Sequence, residues 1–407
     1  MNSEKSNSTK FDSIFDKRFQ DYLEENKNSN PRDLLLRKSP FSSEQTKFAT
    51  SILLGRKIAA AKFPTLAKLP YFIYPNSDIM EQASSEITAR YKAKLTQNSS
   101  IIDITLGGGF DAYFMAEGVK TFLGIDRDSD LVQLVNHNFN QLKLTNAVGL
   151  HSDSLRYLDE NRSTLSNWVY ADPQRRAFGK KLKGIENYSP KFSEIFTRID
   201  FESTGLIVKL SPMDDHHELI RNYNNINQIH ILSVENECKE MLIIVGKAVS
   251  VPTIHTYLRK SINNIEVDFL SVSDYDSKQD DIPYSNTQHY LYEFNPSILK
   301  AGTGDIEAAK MGISKLAPRT NFYTSEQLMN NFPGRVFKVQ DLASYKSETV
   351  KAWFPNSRAN VLVRNFSPGA EELQKKEKLI PSTENIYLIG TSDMKTDRLI
   401  IKAELIQ

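Results

Sequence analysis

The densest chemistry in the sequence lies in Asp103-Ile-Thr-Leu-Gly-Gly-Gly-Phe-Asp111. An apolar run, SII, leads into Asp103 and Thr105; three glycines follow, Gly107, Gly108 and Gly109, and then a helical pattern. Glycines let a chain turn sharply and let a ligand approach its backbone, and a helix start offers free N–H groups to a carboxylate or a phosphate. Taken alone, the loop is open between those two ligands. It has neither the Gly-Lys-Ser/Thr ending of a nucleoside-triphosphate loop nor the spacing of the dinucleotide fingerprint. Asp103, ahead of the glycines, suits the ammonium of an amino acid. Further on, TFLGID ends in Asp126, an acid placed to take both hydroxyls of a ribose, a job such an acid also does in dehydrogenases. Asp153 follows the next strand-like run, either as a helix N-cap or as a group beside an adenine. Singly, Asp103 reads as a turn former and Asp126 as a cap. In the order strand, glycines, helix, strand, they read as one cofactor site.

A second constellation is WVYADPQRR, where an apolar run ends in Asp172-Pro173. A short rigid loop there can hold an acceptor atom in line for a displacement, and Asp172 can accept a hydrogen bond or a proton from it. Arg175 and Arg176 are suited to clamp an anion in two-pronged fashion, or else to salt-bridge within the turn. These readings make Asp172, Pro173 and Arg175 candidates for the reaction centre and Arg176 one for the substrate. Lys209, in KLSP, is expected on the substrate side. Cys238 is the one cysteine and reads as a small packed residue rather than a nucleophile. The seven histidines show no ligand spacing, so no metal is expected.

The elements that must position these residues are short apolar runs alternating with helical patterns after Asn98. That alternation gives a doubly wound α/β sheet whose strand C-termini, and any ligand, share one edge. Before it, residues 11–68 are helical in pattern, and SDIMEQASSEITARYKAKL reads as one more helix with Ser77 as its N-cap. After Tyr290 a mixed pattern of short strands and helices gives small α+β units. The expected domains are a helical region at 1–85, the sheet-bearing core at 86–275, and small units at 276–325 and 326–407.

The 407 residues exceed one ordinary core. No apolar run approaches the length of a membrane span, and the polar N-terminus has no signal-peptide core. A single cysteine fits a reducing, cytoplasmic setting. The net charge of +1 is unevenly spread: +5 over 1–70, −8 over 71–295 and +4 over 296–407. Basic flanks suit contact with a polyanion, and equally suit ordinary solvated surface.

Several stretches carry a resemblance: EQASSEITARYKA, IIDITLGGGFDAYFMA, YADPQRRAFGKK, LYEFNPSILKAG, YTSEQLMNNFPGRVFKV and RANVLVRNFSPGAEELQKK. In these the chain resembles bacterial class I methyltransferases, best known in the Bacteroidetes, that carry a ferredoxin-like insert and a C-terminal THUMP-like domain. The resemblance implies a Rossmann-like core that uses S-adenosylmethionine, bound by Asp103, Thr105, Gly107, Gly108, Gly109, Asp126 and Asp153. It also implies an RNA substrate, tRNA or rRNA, met by basic residues such as Arg335 and Arg364. Two other functions stay open: methylation of a small molecule or a protein, and non-catalytic binding of cofactor or RNA.

Overall fold

The computed structural model describes residues 16–407 apart from 70, 166, 175, 178–179, 182–183, 263 and 278–281. The chain forms two compact units. One holds the described residues up to Ile226 together with Leu242–Ala248; the other holds Asn227–Met241 and Val249–Gln407.

The first unit opens with helices α1 (Lys17–Glu25), α2 (Ser43–Lys62), α3 (Ser77–Gln82) and α4 (Glu86–Leu95). The single helix expected from Ser77 onward is two. Asn76, not Ser77, caps α3 by accepting from the Ile79 N–H, and Ser85 caps α4. The break at Ala83 frees Ser84 for the buried network described below. These helices share one hydrophobic cluster with the sheet: Phe19, Ile52, Phe63 and Phe72 pack with Phe110, Tyr113 and Phe139. The extended segment at 72–75 pairs with no strand among the described residues; instead the buried Asn138 side chain bonds both N–H and C=O of Ile73.

The alternating region follows as expected: β1 (Ser100–Asp103), α5 (Phe110–Met115), β2 (Thr121–Asp126), α6 (Ser129–Gln141), β3 (Ala147–His151), α7 (Ser154–Glu160) and β4 (Trp168–Ala171). After the short pair β5 (Arg176–Ala177) and β6 (Lys180–Lys181) come α8 (Phe192–Phe196), β7 (Gly205–Leu210) and α9 (His216–Asn222). The sheet order in this unit is β3-β2-β1-β4-β7, all parallel. Chain order therefore reverses between β1 and β4. A parallel sheet opens a ligand crevice at such a switch point, beyond the strand C-termini. Asp103 ends β1, and Asp172 directly follows β4.

The second unit begins with β8 (Ile226–Val234). The next strand, β9 (Glu237–Val245), is divided between the units, and the long hairpin of β10 (Thr253–Ile262) and β11 (Ile265–Asp274) follows. Next come β12 (Tyr290–Phe294), α10 (Pro296–Ala301), α11 (Gly304–Met311), β13 (Ser314–Lys315), β14 (Phe322–Ser325) and β15 (Gly334–Ser344). The chain ends with α12 (Ser347–Trp353), β16 (Asn360–Val363), α13 (Ala370–Lys376), β17 (Ile386–Thr391) and β18 (Leu399–Leu405). Strands from both sides of the expected boundary at 325/326 join one seven-stranded sheet, ordered β13-β14-β12-β15-β18-β17-β16. Among the described residues no helix is long and apolar enough to cross a membrane.

Candidate active site

The glycine loop turns at the end of β1 because its backbone bonds run sideways into neighbouring strands. Ile104 donates to Tyr170 of β4 (3.0 Å), and Leu106 donates to Ile125 of β2 (3.1 Å). Gly107 then takes φ +51°, a left-handed conformation that favours glycine, and its N–H donates to Asp126 Oδ2 at 2.8 Å. The other Asp126 oxygen accepts the Asp128 N–H. At Gly109, φ is +76° and a Cβ would lie 2.8 Å from the Tyr113 ring. Any side chain there is excluded both by conformation and by packing.

Asp103 is almost fully buried. Its Oδ1 accepts from the Thr105 N–H (2.8 Å) and hydroxyl (3.2 Å), and the Thr105 oxygen accepts the Asp172 N–H at 2.7 Å. Thr105 thus ties the β1 loop to the β4 loop. Two further acids stand near Asp103, and each has its own lysine. The fully buried Lys92 on α4 lies 2.9 Å from Asp111, which also accepts the Tyr170 hydroxyl at 2.6 Å. Lys92 also donates to Ser84 (2.6 Å), which in turn reaches Asp111. Lys209 on β7, also buried, meets Asp172 at 2.6 Å.

These pairings set the protonation states. Burial opposes ionisation of Asp111, but Lys92, Lys209 and the Tyr170 hydroxyl outweigh it and hold its carboxyl below the ordinary value. Asp103 has no cationic partner among the described residues. Burial first, and then the neighbouring Asp111 and Asp172, push its carboxyl up to about 8 against the Thr105 hydrogen bonds. Three carboxyls thus share two lysines, and the one left over sits at the switch point.

The other sequence candidates are placed as follows. Asp153 caps α7 through the Arg156 N–H (2.9 Å), with Arg127 3.6 Å away. Pro173 is buried. Arg175 lies outside the described residues, and only the backbone of Arg176 is described, in β5. Lys209 is an internal cation under Asp172 rather than a group presented to solvent. In the second unit, Arg335 hydrogen-bonds the buried carboxylate of Glu293 and Arg364 forms an ion pair with it. Cys238 has its thiol pushed up to about 11 by burial, which leaves it a poor nucleophile near neutrality. Asp215, His216 and His217 bring ligand-type atoms within 4.8 Å of one another at the start of α9, the one such grouping among the described residues.

Lys92, Ser84, Asp111 and Tyr170 were not among the sequence candidates. Asp111 was within reach, as the acid that closes the glycine stretch. Lys92 was not, because a lysine in an amphipathic helix reads as solvated.

Residues 290–333 match a ferredoxin-like domain family and residues 334–404 a THUMP domain-like family. The chain carries a THUMP-like domain. Its strands, β15 to β18, complete the sheet that the ferredoxin-like residues begin. Over 97% of its length the chain superposes on all of a crystal structure from Porphyromonas gingivalis W83, with a TM-score of 0.81 at 22% identity; that protein is named, provisionally, as a methyltransferase. The likeness establishes a common fold that includes the THUMP-like domain. A stretch of 85 residues is 28% identical to a Mycoplasma mobile protein described as an uncharacterized RNA methyltransferase. The match spans 21% of this chain and 23% of that relative.

Proposed function

We propose that this chain is an S-adenosylmethionine-dependent methyltransferase acting on RNA. The observation that carries the reading is the unmatched carboxyl of Asp103, buried at the switch point beside a glycine loop and Asp126. A cofactor with an α-ammonium supplies the missing cation, and its ribose finds an acid in Asp126. When bound, the cofactor offers an electrophilic methyl group on sulfur.

The residues then divide the work. Asp103, fixed by Thr105, holds the ammonium. The loop at Gly107–Gly109 keeps side chains away from the cofactor, and Asp153 borders the adenine side. Asp172, oriented by Lys209 at 2.6 Å, accepts a hydrogen bond or a proton from the acceptor atom, and Pro173 stiffens that loop. Arg175 and Arg176 belong to the same acceptor loop. The RNA substrate, tRNA or rRNA, is supported by the THUMP-like domain and by the name of the Mycoplasma mobile relative. The same reading places the protein in the cytoplasm and needs no metal.

The test is to incubate the full chain with methyl-labelled cofactor and total RNA, then map the labelled nucleoside. Calorimetry with the cofactor and with NAD runs in parallel. No cofactor binding, or tight NAD binding, would sink the methyltransferase reading; labelled protein without labelled RNA would sink the substrate.

A further inference from the structure

In the second unit, Glu293 and Arg335 are direct partners across β12 and β15. Arg335 bonds Glu293 Oε2 through Nε at 2.8 Å and through Nη2. The other oxygen, Oε1, meets Arg364 Nε at 2.7 Å. Arg364 follows β16, which lies four places from β12 in the sheet. In a flat sheet those strands would stand about 19 Å apart, beyond the reach of any arginine. The sheet is therefore curled, and its two sides meet at this carboxylate.

The charges there do not balance. Two guanidiniums share one carboxylate whose side chain is 3% exposed. Lys260 adds a third cation, its ammonium donating to the Gly334 carbonyl at 2.6 Å, next to Arg335. Burial and then Arg335 depress its basicity, opposed by Glu235. Donors also remain unspent. Arg335 Nη1 and Arg364 Nη2 make no hydrogen bond among the described residues, and their side chains are 18% and 38% exposed. Arg364 also donates through Nη1 to the Val363 carbonyl (2.8 Å), and the N–H groups left open on the two guanidiniums can meet phosphate oxygens.

We propose that Lys260, Arg335 and Arg364 form a binding site for a phosphate group, with Glu293 as the internal carboxylate that sets the two guanidiniums in position. The phosphate comes from a polynucleotide or from a small phosphate ester. The polynucleotide source rests on the RNA reading above; the phosphate chemistry does not.

The experiment uses the full chain. Inorganic phosphate is titrated by calorimetry, and a labelled tRNA transcript by fluorescence anisotropy, on wild type, Arg364→Ala, Lys260→Met and Glu293→Gln. Arg364→Ala is expected to weaken phosphate roughly tenfold, the loss of one charge-assisted contact. Glu293→Gln is expected to tighten it, because a competing negative charge is gone while the amide oxygen still accepts. A purely structural clamp gives the opposite sign for Glu293→Gln and no change for Lys260→Met. If Glu293→Gln does not fold, the two cation variants decide. Parallel loss of phosphate and tRNA affinity assigns the site to a polynucleotide, whereas loss of phosphate alone assigns it to a small ester. Phosphate binding without any tRNA binding by wild type keeps the site and removes the RNA reading. Phosphate affinity that is absent in wild type, or unchanged in both cation variants, overturns the proposal.

Discussion

Changing pH between 6 and 9 should change cofactor affinity, and the acid side of that change reports on Asp103. With its carboxyl near 8, Asp103 is about one-tenth ionised at pH 7 and about one-hundredth at pH 6. Only the ionised form pairs with an ammonium, and an α-amino group is itself protonated below about 8. Apparent affinity follows the product of the two fractions. It should rise roughly eightfold from pH 6 to 7 and about threefold more to pH 8, then fall again as the ammonium loses its proton. Binding at pH 7 should release about 0.8 proton net, roughly 0.9 from Asp103 less about 0.1 taken up by the amine.

Titration calorimetry with S-adenosylmethionine in phosphate and in Tris, buffers of different ionisation enthalpy, measures that release directly. Asp103→Asn should bind more weakly, lose the acid-side rise and keep only the alkaline fall. An affinity that is flat from pH 6 to 8 in the wild type, with no buffer-dependent heat, would refute the claim that Asp103 is the carboxyl lacking a cation. Binding itself would still support the cofactor assignment.

The raised carboxyl also bears on stability. The folded state holds a proton that the unfolded state gives up above the ordinary value, so Asp103 costs stability progressively between pH 4 and 8. Asp103→Asn should therefore raise the melting temperature, and by more at pH 8 than at pH 5. Lys92→Met leaves Asp111 buried without its closest cation and should cost about 3–5 kcal/mol in urea denaturation; part of this should return in the double variant with Asp111→Asn. Asp172→Asn should lower methyl transfer at least roughly a hundredfold while cofactor affinity moves little, measured by labelled transfer and calorimetry. Cys238→Ser should keep most activity, and a folded but inactive serine variant would reopen covalent chemistry at that thiol.

The sheet-bearing core was legible because its signals are local. Apolar runs alternate with 3.6-residue periodicity, and the loop beginning at Asp103 announces its turn through glycines that φ values of +51° and +76° then require. Asp103, Asp126 and Asp172 could be placed at strand ends for the same reason: each ends or follows a strand, and strand ends are readable. What could not be read was pairing across the fold. Lys92 lies on α4 and Asp111 at the start of α5, and nothing in either segment shows that the two meet without water. The helix break at Ala83 is of the same kind. SDIMEQASSEITARYK is a continuous helical pattern, and the chain leaves it where Ser85 caps α4 and Ser84 serves Lys92 and Asp111.

The C-terminal region shows what charge alone leaves out of the reading. Arg335 and Arg364 flank apolar strands and read as surface cations awaiting RNA, yet each is committed on one edge to Glu293, which the sequence hides inside the apolar run LYEF. Composition could not reveal this, because the pairing depends on a curled sheet that brings β16 to β12. In the same sheet a cut after Phe332 strips β15 to β18 and leaves β12 without one of its two partners. Such a truncation would test sheet integrity and RNA binding together. Point changes at the open edges of the same arginines separate the two, because Arg364→Ala removes a donor while Arg335 still holds Glu293.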